Sequence, residues 1–154
     1  MKTLTAIALL ILIVSGCTQV EKKTDEAKMP LMGTWKLISG TTIQKNDTTV
    51  TDYTQGKSFI KIINDTHFAF LLHDLAKGKD SVKAAFTAGG GSYTLKDSSY
   101  TEHLEYCNDR QWEGNDFTFT ITIKNDTLVQ SGIEKVDSAG INRMNIEKYV
   151  RLKN

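Results

Sequence analysis

Between Asp116 and Lys124 the chain reads Asp-Phe-Thr-Phe-Thr-Ile-Thr-Ile-Lys, an alternation with a period that no helix can use. Successive side chains of an extended strand point to opposite faces. Phe117, Phe119, Ile121 and Ile123 therefore share one face, and Thr118, Thr120 and Thr122 share the other. An antiparallel strand with one buried face has this pattern. Weaker versions run over Lys57 to Ile63, Thr66 to Leu72, Ser81 to Phe86, Gly91 to Lys96, Leu128 to Glu134 and Met144 to Leu152. No stretch has the period of a long amphipathic helix, and Leu75 to Lys79 has room for one turn at most.

The punctuation between these runs supports hairpins. The triplet Asn-Asp-Thr occurs three times, at Asn46–Thr48, Asn64–Thr66 and Asn125–Thr127, each between strand-like segments. Asn and Asp tolerate the positive φ that two-residue hairpin turns need, and the β-branched Thr opens the next strand. Asp97-Ser98 is placed to do the same. Gly89-Gly90-Gly91 lacks the following helix of a phosphate loop and reads as a bend or bulge. Many short strands in hairpin order predict an all-β fold, an up-and-down antiparallel barrel of about eight to ten strands.

The first residues have a different character. Leu4 to Val14 is an apolar run behind Met1-Lys2, shorter than the ~20 residues a spanning helix needs, so residues 1–16 read as a signal peptide. Val14-Ser15-Gly16-Cys17 resembles the bacterial lipobox, which implies cleavage before Cys17 and acylation of that cysteine. Such acylation would meet the two-signal requirement for stable membrane anchoring. Residues 17–30 are polar apart from Val20 and the segment around Pro30, and read as a solvated tether. Residues 31–154 then form the barrel domain. Thr18 replaces the Asp that signals inner-membrane retention in some bacteria, so the expected location is the outer membrane.

Removal of residues 1–16 takes one lysine from the 19 basic residues and leaves them equal in number to the 18 acidic ones. A balanced surface has no electrostatic footprint for nucleic acid. With Cys17 lipidated, Cys107 has no intramolecular partner, and the exported domain is expected to fold as a monomer without a disulfide.

Gly33-Thr34-Trp35, opening the first strand, resembles the Gly-x-Trp signature of the lipocalin and calycin families. The stretches from Gly89 to Cys107, Thr127 to Gly132 and Tyr149 to Lys153 are similar to small lipocalin-like lipoproteins of uncharacterised function. The resemblance implies that Trp35 lies across the closed end of the barrel and that a basic residue of the last strand, Arg151, packs on it. No disulfide and no helix after the barrel can be read, which favours a minimal calycin-like relative.

Ser99 to Cys107, Ser-Tyr-Thr-Glu-His-Leu-Glu-Tyr-Cys, carries most of the chemistry. On a regular strand Tyr100, Glu102, Leu104 and Tyr106 face one way, and Thr101, His103, Glu105 and Cys107 the other. The first set is the more apolar and is expected to turn inward, carrying Glu102 with it. A buried carboxylate needs a partner; Arg151, Gln130 or a tyrosine hydroxyl could serve. This is either a structural network or the polar end of a ligand cavity with Tyr93, Glu102, Leu104, Tyr106 and Gln130 in its wall. His103, Glu105 and Cys107 are metal-ligand types at alternating positions, but His67 and His73 lie on another strand and nothing aims them here. No metal or other cofactor is expected. Catalytic motifs are absent, and Glu102 and Glu105 on opposite faces cannot flank a substrate. Asp47, Asp80, Asp126 and Asp137, each before Thr or Ser, resemble a bacterial O-glycosylation pattern, though turn chemistry explains them alone. The expected function is therefore non-enzymatic: a lipid-anchored envelope protein whose barrel binds a small hydrophobic or amphipathic, largely apolar molecule. The alternative is a packed, ligand-free barrel acting as a structural or protein-interaction module.

Overall fold

The computed structural model describes residues 30–153; the expected signal peptide, Cys17 and the expected tether up to residue 29 lie outside the described residues. Nine strands follow one another: β1 (Gly33–Gln44), β2 (Asp47–Asp52), β3 (Lys57–Ile63), β4 (His67–Asp74), β5 (Phe86–Lys96), β6 (Ser99–Cys107), β7 (Asn115–Lys124), β8 (Thr127–Val136) and β9 (Ile141–Arg151). Single 3-10 turns at Arg110–Trp112 and Asp137–Ala139 are the helical elements among the described residues. Strands β3 to β9 pair in chain order, and β1 pairs with both β3 and β9, which closes an antiparallel barrel of eight strands. Strand β2 is the extra one, paired to the second half of β1. The closed up-and-down barrel is consistent with a calycin-like fold.

The β7 alternation holds along its length. Phe117, Phe119 and Ile121 are buried while Thr118, Thr120 and Thr122 are exposed. The turns hold in place but differ in mechanism. Asn125 and Asp126 both have positive φ, as a two-residue hairpin requires. At the first triplet the positive φ falls on Lys45 instead, and Asp47 already belongs to β2. At the second, Asn64 works through its side chain: its Oδ1 accepts from the backbone N–H groups of Thr66 and His67.

Around β5 the strand bounds are corrected, while the irregularity expected at the glycine run is present as a slip in the pairing with β6 between Gly90 and Gly91. Ser81 to Ala85 is a loop, with Val82 fully out in solvent. The strand instead begins at Phe86 and runs through all three glycines. The glycines are needed because neighbouring backbone comes too close for a Cβ. At Gly91 it would strike the His103 carbonyl, and at Gly90 the Phe68 carbonyl.

One end of the barrel is packed solid. Trp35, Leu37, Ile63, Phe68, Tyr100, Ile121, Leu128 and Tyr149 fill it. Trp35 is 0% exposed, and its indole N–H donates to the Leu31 carbonyl at 2.8 Å. Trp35 and Arg151 are register partners on β1 and β9. The guanidinium stacks 4.0 Å from the indole centroid, within the range of a cation–π contact. Its N–H groups also donate to the backbone carbonyls of Met32 and Pro30. Gly33 has φ 140°, and a Cβ there would sit 2.5 Å from Arg151 Nη1. The glycine of Gly-x-Trp is thus favoured by its backbone angle, and a Cβ there would displace the guanidinium lying over it.

If this stack closes the barrel, Trp35→Ala should cost about 3–5 kcal/mol, the range for a buried large-to-small change. Arg151→Ala should couple to it in a double-mutant cycle read by urea unfolding. Strict additivity of the two would show that the guanidinium does not support the indole.

Candidate functional site

The opposite end of the barrel is hollow. A cavity of about 600 Å³ is lined by residues from every barrel strand. Its outermost lining comes from the later residues Thr42, Leu72, Cys107 and Glu134 of β1, β4, β6 and β8 and the early residues Phe59, Thr87, Phe117 and Arg143 of β3, β5, β7 and β9, which places its mouth at the end away from Trp35. Its two sides differ in chemistry. Strands β3, β4, β6 and β7 contribute Phe59, Phe70, Leu72, Leu104, Phe117 and Phe119, with Trp112 from the 3-10 turn. Strands β1, β8 and β9 contribute Thr42, Gln130, Glu134, Arg143, Asn145 and Glu147. The polar wall arises because inward positions of β9, alternating back from Tyr149, are Glu147, Asn145 and Arg143.

A buried ion pair forms the cavity floor. Lys61 Nζ lies 2.6 Å from Glu102 Oε1, with side chains 3% and 8% exposed. Lys61 also donates to Gln130 Oε1 at 3.1 Å. Its ammonium sits over the rings of Phe68 and Tyr149 at 5.7 and 5.4 Å. Burial pushes the Lys61 ammonium down, but the attraction of Glu102 and Glu147 outweighs it and holds the pKa above the ordinary lysine value. For Glu102 burial dominates and raises its carboxyl, with Lys61 opposing. Farther up, Glu134 accepts from Arg143 Nε and Asn145 Nδ2, both at 2.7 Å. Burial raises its carboxyl too, with the Arg143 charge opposing. Tyr149 donates to Glu147 Oε2 at 2.6 Å. The Tyr100 hydroxyl is buried near Glu102 without a hydrogen-bond partner. Burial first, and then the Glu102 charge, raise the pKa of that phenol.

The sequence-predicted site residues divide. Glu102, Leu104 and Gln130 line the cavity. Tyr93 does not; it packs on Tyr100 at 5.2 Å and donates its hydroxyl to the Asn64 carbonyl, toward the closed end. Tyr106 is on the outer surface, 66% exposed. The reason is a bulge: Gly90 pairs with Tyr106 and Gly91 with Leu104, so Glu105 has no residue opposite it. An unpaired residue reverses the alternation beyond it. Cys107, expected outside, therefore turns inward and lines the cavity, while His103 and Glu105 stay on the outer wall. His103 pairs with Asp116 at 2.7 Å, and Glu105 accepts from Ser92. The three metal-ligand types thus do not converge, and burial raises the Cys107 thiol above its ordinary value.

The partner of Glu102 is also corrected. Arg151 is committed to the closed end, and Gln130 bonds to Lys61 rather than to the carboxylate. Lys61 itself was not legible as an inward residue. In Lys-Ser-Phe-Ile-Lys-Ile-Ile both faces carry large apolar side chains, so period gives no direction, and an unpartnered lysine is expected outside. The available signal was its phase with Phe59 and Ile63, opposite an inward-facing carboxylate.

Removing one member of the floor pair strands the other. Lys61→Met should destabilise by about 3–5 kcal/mol, whereas Lys61→Met/Glu102→Leu should restore most of the loss. Urea unfolding of both variants checks this, and a double variant no better than the single would show that the pair is not a closed unit. Lys61 has a raised pKa, so its contribution is complete below about pH 10 and is lost as pH rises through the folded value. Buried Tyr100 and Tyr149, whose pKa values are also raised, favour the protonated folded state in the same direction. Phenolate absorbance and circular dichroism followed together should show these tyrosines ionising only as the fold is lost. Ionisation of all five tyrosines in an intact barrel would contradict their burial.

The chain matches no protein-family model and no curated protein, so no family is assigned beyond the barrel architecture itself.

Proposed function

We propose that this protein is a non-catalytic binder of a small amphipathic molecule, held at the bacterial cell envelope by acylated Cys17. The observation that supports binding is the open cavity. Its volume, about 600 Å³, falls within the range of small-molecule pockets. A barrel serving only as a structural module would be expected to continue the packing of the Trp35 end through its length. The two-sided lining favours a ligand with distinct apolar and polar ends over a wholly apolar one. Membrane anchoring rests on the lipobox-like Val14–Cys17, and outer-membrane residence on Thr18 after it.

Titration with N-phenyl-1-naphthylamine should give saturable one-to-one fluorescence enhancement, competed by medium-chain alcohols. Leu72→Trp, which fills the apolar side of the cavity, should abolish it while leaving the circular dichroism spectrum unchanged. Enhancement that survives this filling would place the dye elsewhere and remove the support for binding. For the anchor, Cys17→Ser should lose metabolic acyl label and leave the membrane fraction. An unlabelled wild-type protein that stays with the membrane would show that residues 1–17 have another role.

A further inference from the structure

The charges inside the cavity do not balance, and the imbalance has one location. Two cations, Lys61 and Arg143, face four carboxylates, Asp109, Glu102, Glu134 and Glu147. Lys61 is taken by Glu102 and Gln130, and Arg143 by Glu134, whose second oxygen accepts from Asn145. Asp109 is exposed at the rim and caps the 3-10 turn. Glu147 is left. Its Oε2 accepts from Tyr149, its Oε1 has no hydrogen-bond partner among the described residues, and Lys61 Nζ is 4.0 Å away. Its side chain is 17% exposed, so the cavity reaches it.

Tyr149, which donates to Glu147, belongs to a connected group of aromatic rings in the cavity. Phe59 stacks on Phe70 at 6.0 Å, meets Tyr149 edge-on at 6.4 Å and meets Tyr53 edge-on at 5.9 Å. Tyr53 lies close enough to Glu147 for the carboxylate to raise its phenol, second only to the effect of burial. Ring faces attract cations, and a carboxylate adds charge and a hydrogen-bond acceptor. At this spot an anionic head group would meet the charge of Glu147, while Lys61 is 2% exposed and engaged by its neighbours and Arg143 is paired through its Nε with Glu134.

We infer that the cavity takes an amphipath whose polar end is a primary ammonium group, seated on Glu147 against these rings, with its apolar chain along Phe70, Leu72 and Leu104. This rests on the ligand-binding reading above and specifies the head group. An ammonium with N–H bonds, rather than a quaternary one, supplies the donor that Oε1 lacks.

Isothermal titration with n-octylamine, n-octanol, sodium octanoate and octyltrimethylammonium at neutral pH holds the tail constant and varies the head. Octylammonium should bind about tenfold or more tighter than octanol, the gain expected of one charge-assisted hydrogen bond, with octanoate weakest. Glu147→Gln should remove the advantage of octylammonium over octanol, both measured on the variant, with an unchanged circular dichroism spectrum showing that the variant is folded. Equal binding of the four probes, or a preference for octanoate, would overturn the head-group inference and leave the cavity reading intact. A preference for octylammonium that persists in a folded Glu147→Gln variant would overturn the assignment to Glu147. No binding of any probe would remove both readings. If the variant does not fold, the ranking of the probes on the unaltered protein still decides the head group.

Discussion

A lysine and a glutamate in contact at 2.6 Å in the lumen divide this barrel into a solid half and a hollow one. Below them apolar side chains from every direction meet and exclude water. At their level the interior must instead satisfy charges, and desolvating an ion costs several kcal/mol unless its partners are close and well placed. The floor supplies them through Gln130 and two aromatic faces. Above the floor β9 continues with Glu147, Asn145 and Arg143 at inward positions, so apolar packing cannot resume. The cavity follows from that row of polar side chains as much as from the curvature of the sheet.

The fold was legible wherever one face is uniformly apolar and the other uniformly polar. Strand β7 needed only its alternation, and the hairpin at Asn125-Asp126 only its turn residues. The failures share a cause: a period of two carries no information about where it is interrupted. The bulge at Glu105 sends Tyr106 out and Cys107 in, although Tyr100, Glu102 and Leu104 before it face as the pattern says. Lys61 was hidden by the opposite problem, a strand apolar on both faces. Ser81 to Ala85 has strand-like residues but belongs to the β4–β5 loop, where Asp74 Oδ2 accepts from the Ala85 N–H just before β5 begins.

The Gly-x-Trp signature can be read as mechanics. Glycine at residue 33 permits a backbone angle that other residues rarely adopt and leaves room for the guanidinium, which a methyl group would displace. Tryptophan at residue 35 supplies a ring broad enough to plug the lumen and an N–H that fastens the incoming chain at Leu31. Arginine at residue 151 covers the ring from the neighbouring strand. Each residue type follows from a contact in this molecule. The agreement with the calycin pattern is one of construction, and it does not bring a ligand with it.

Arg151 also holds the carbonyls of Pro30 and Met32, so the polypeptide joins the barrel through its plugged base. Any attachment made through the preceding segment would hold the protein from that base, at the end of the barrel opposite the opening. A molecule entering or leaving would then not have to pass between the barrel and whatever it is fastened to.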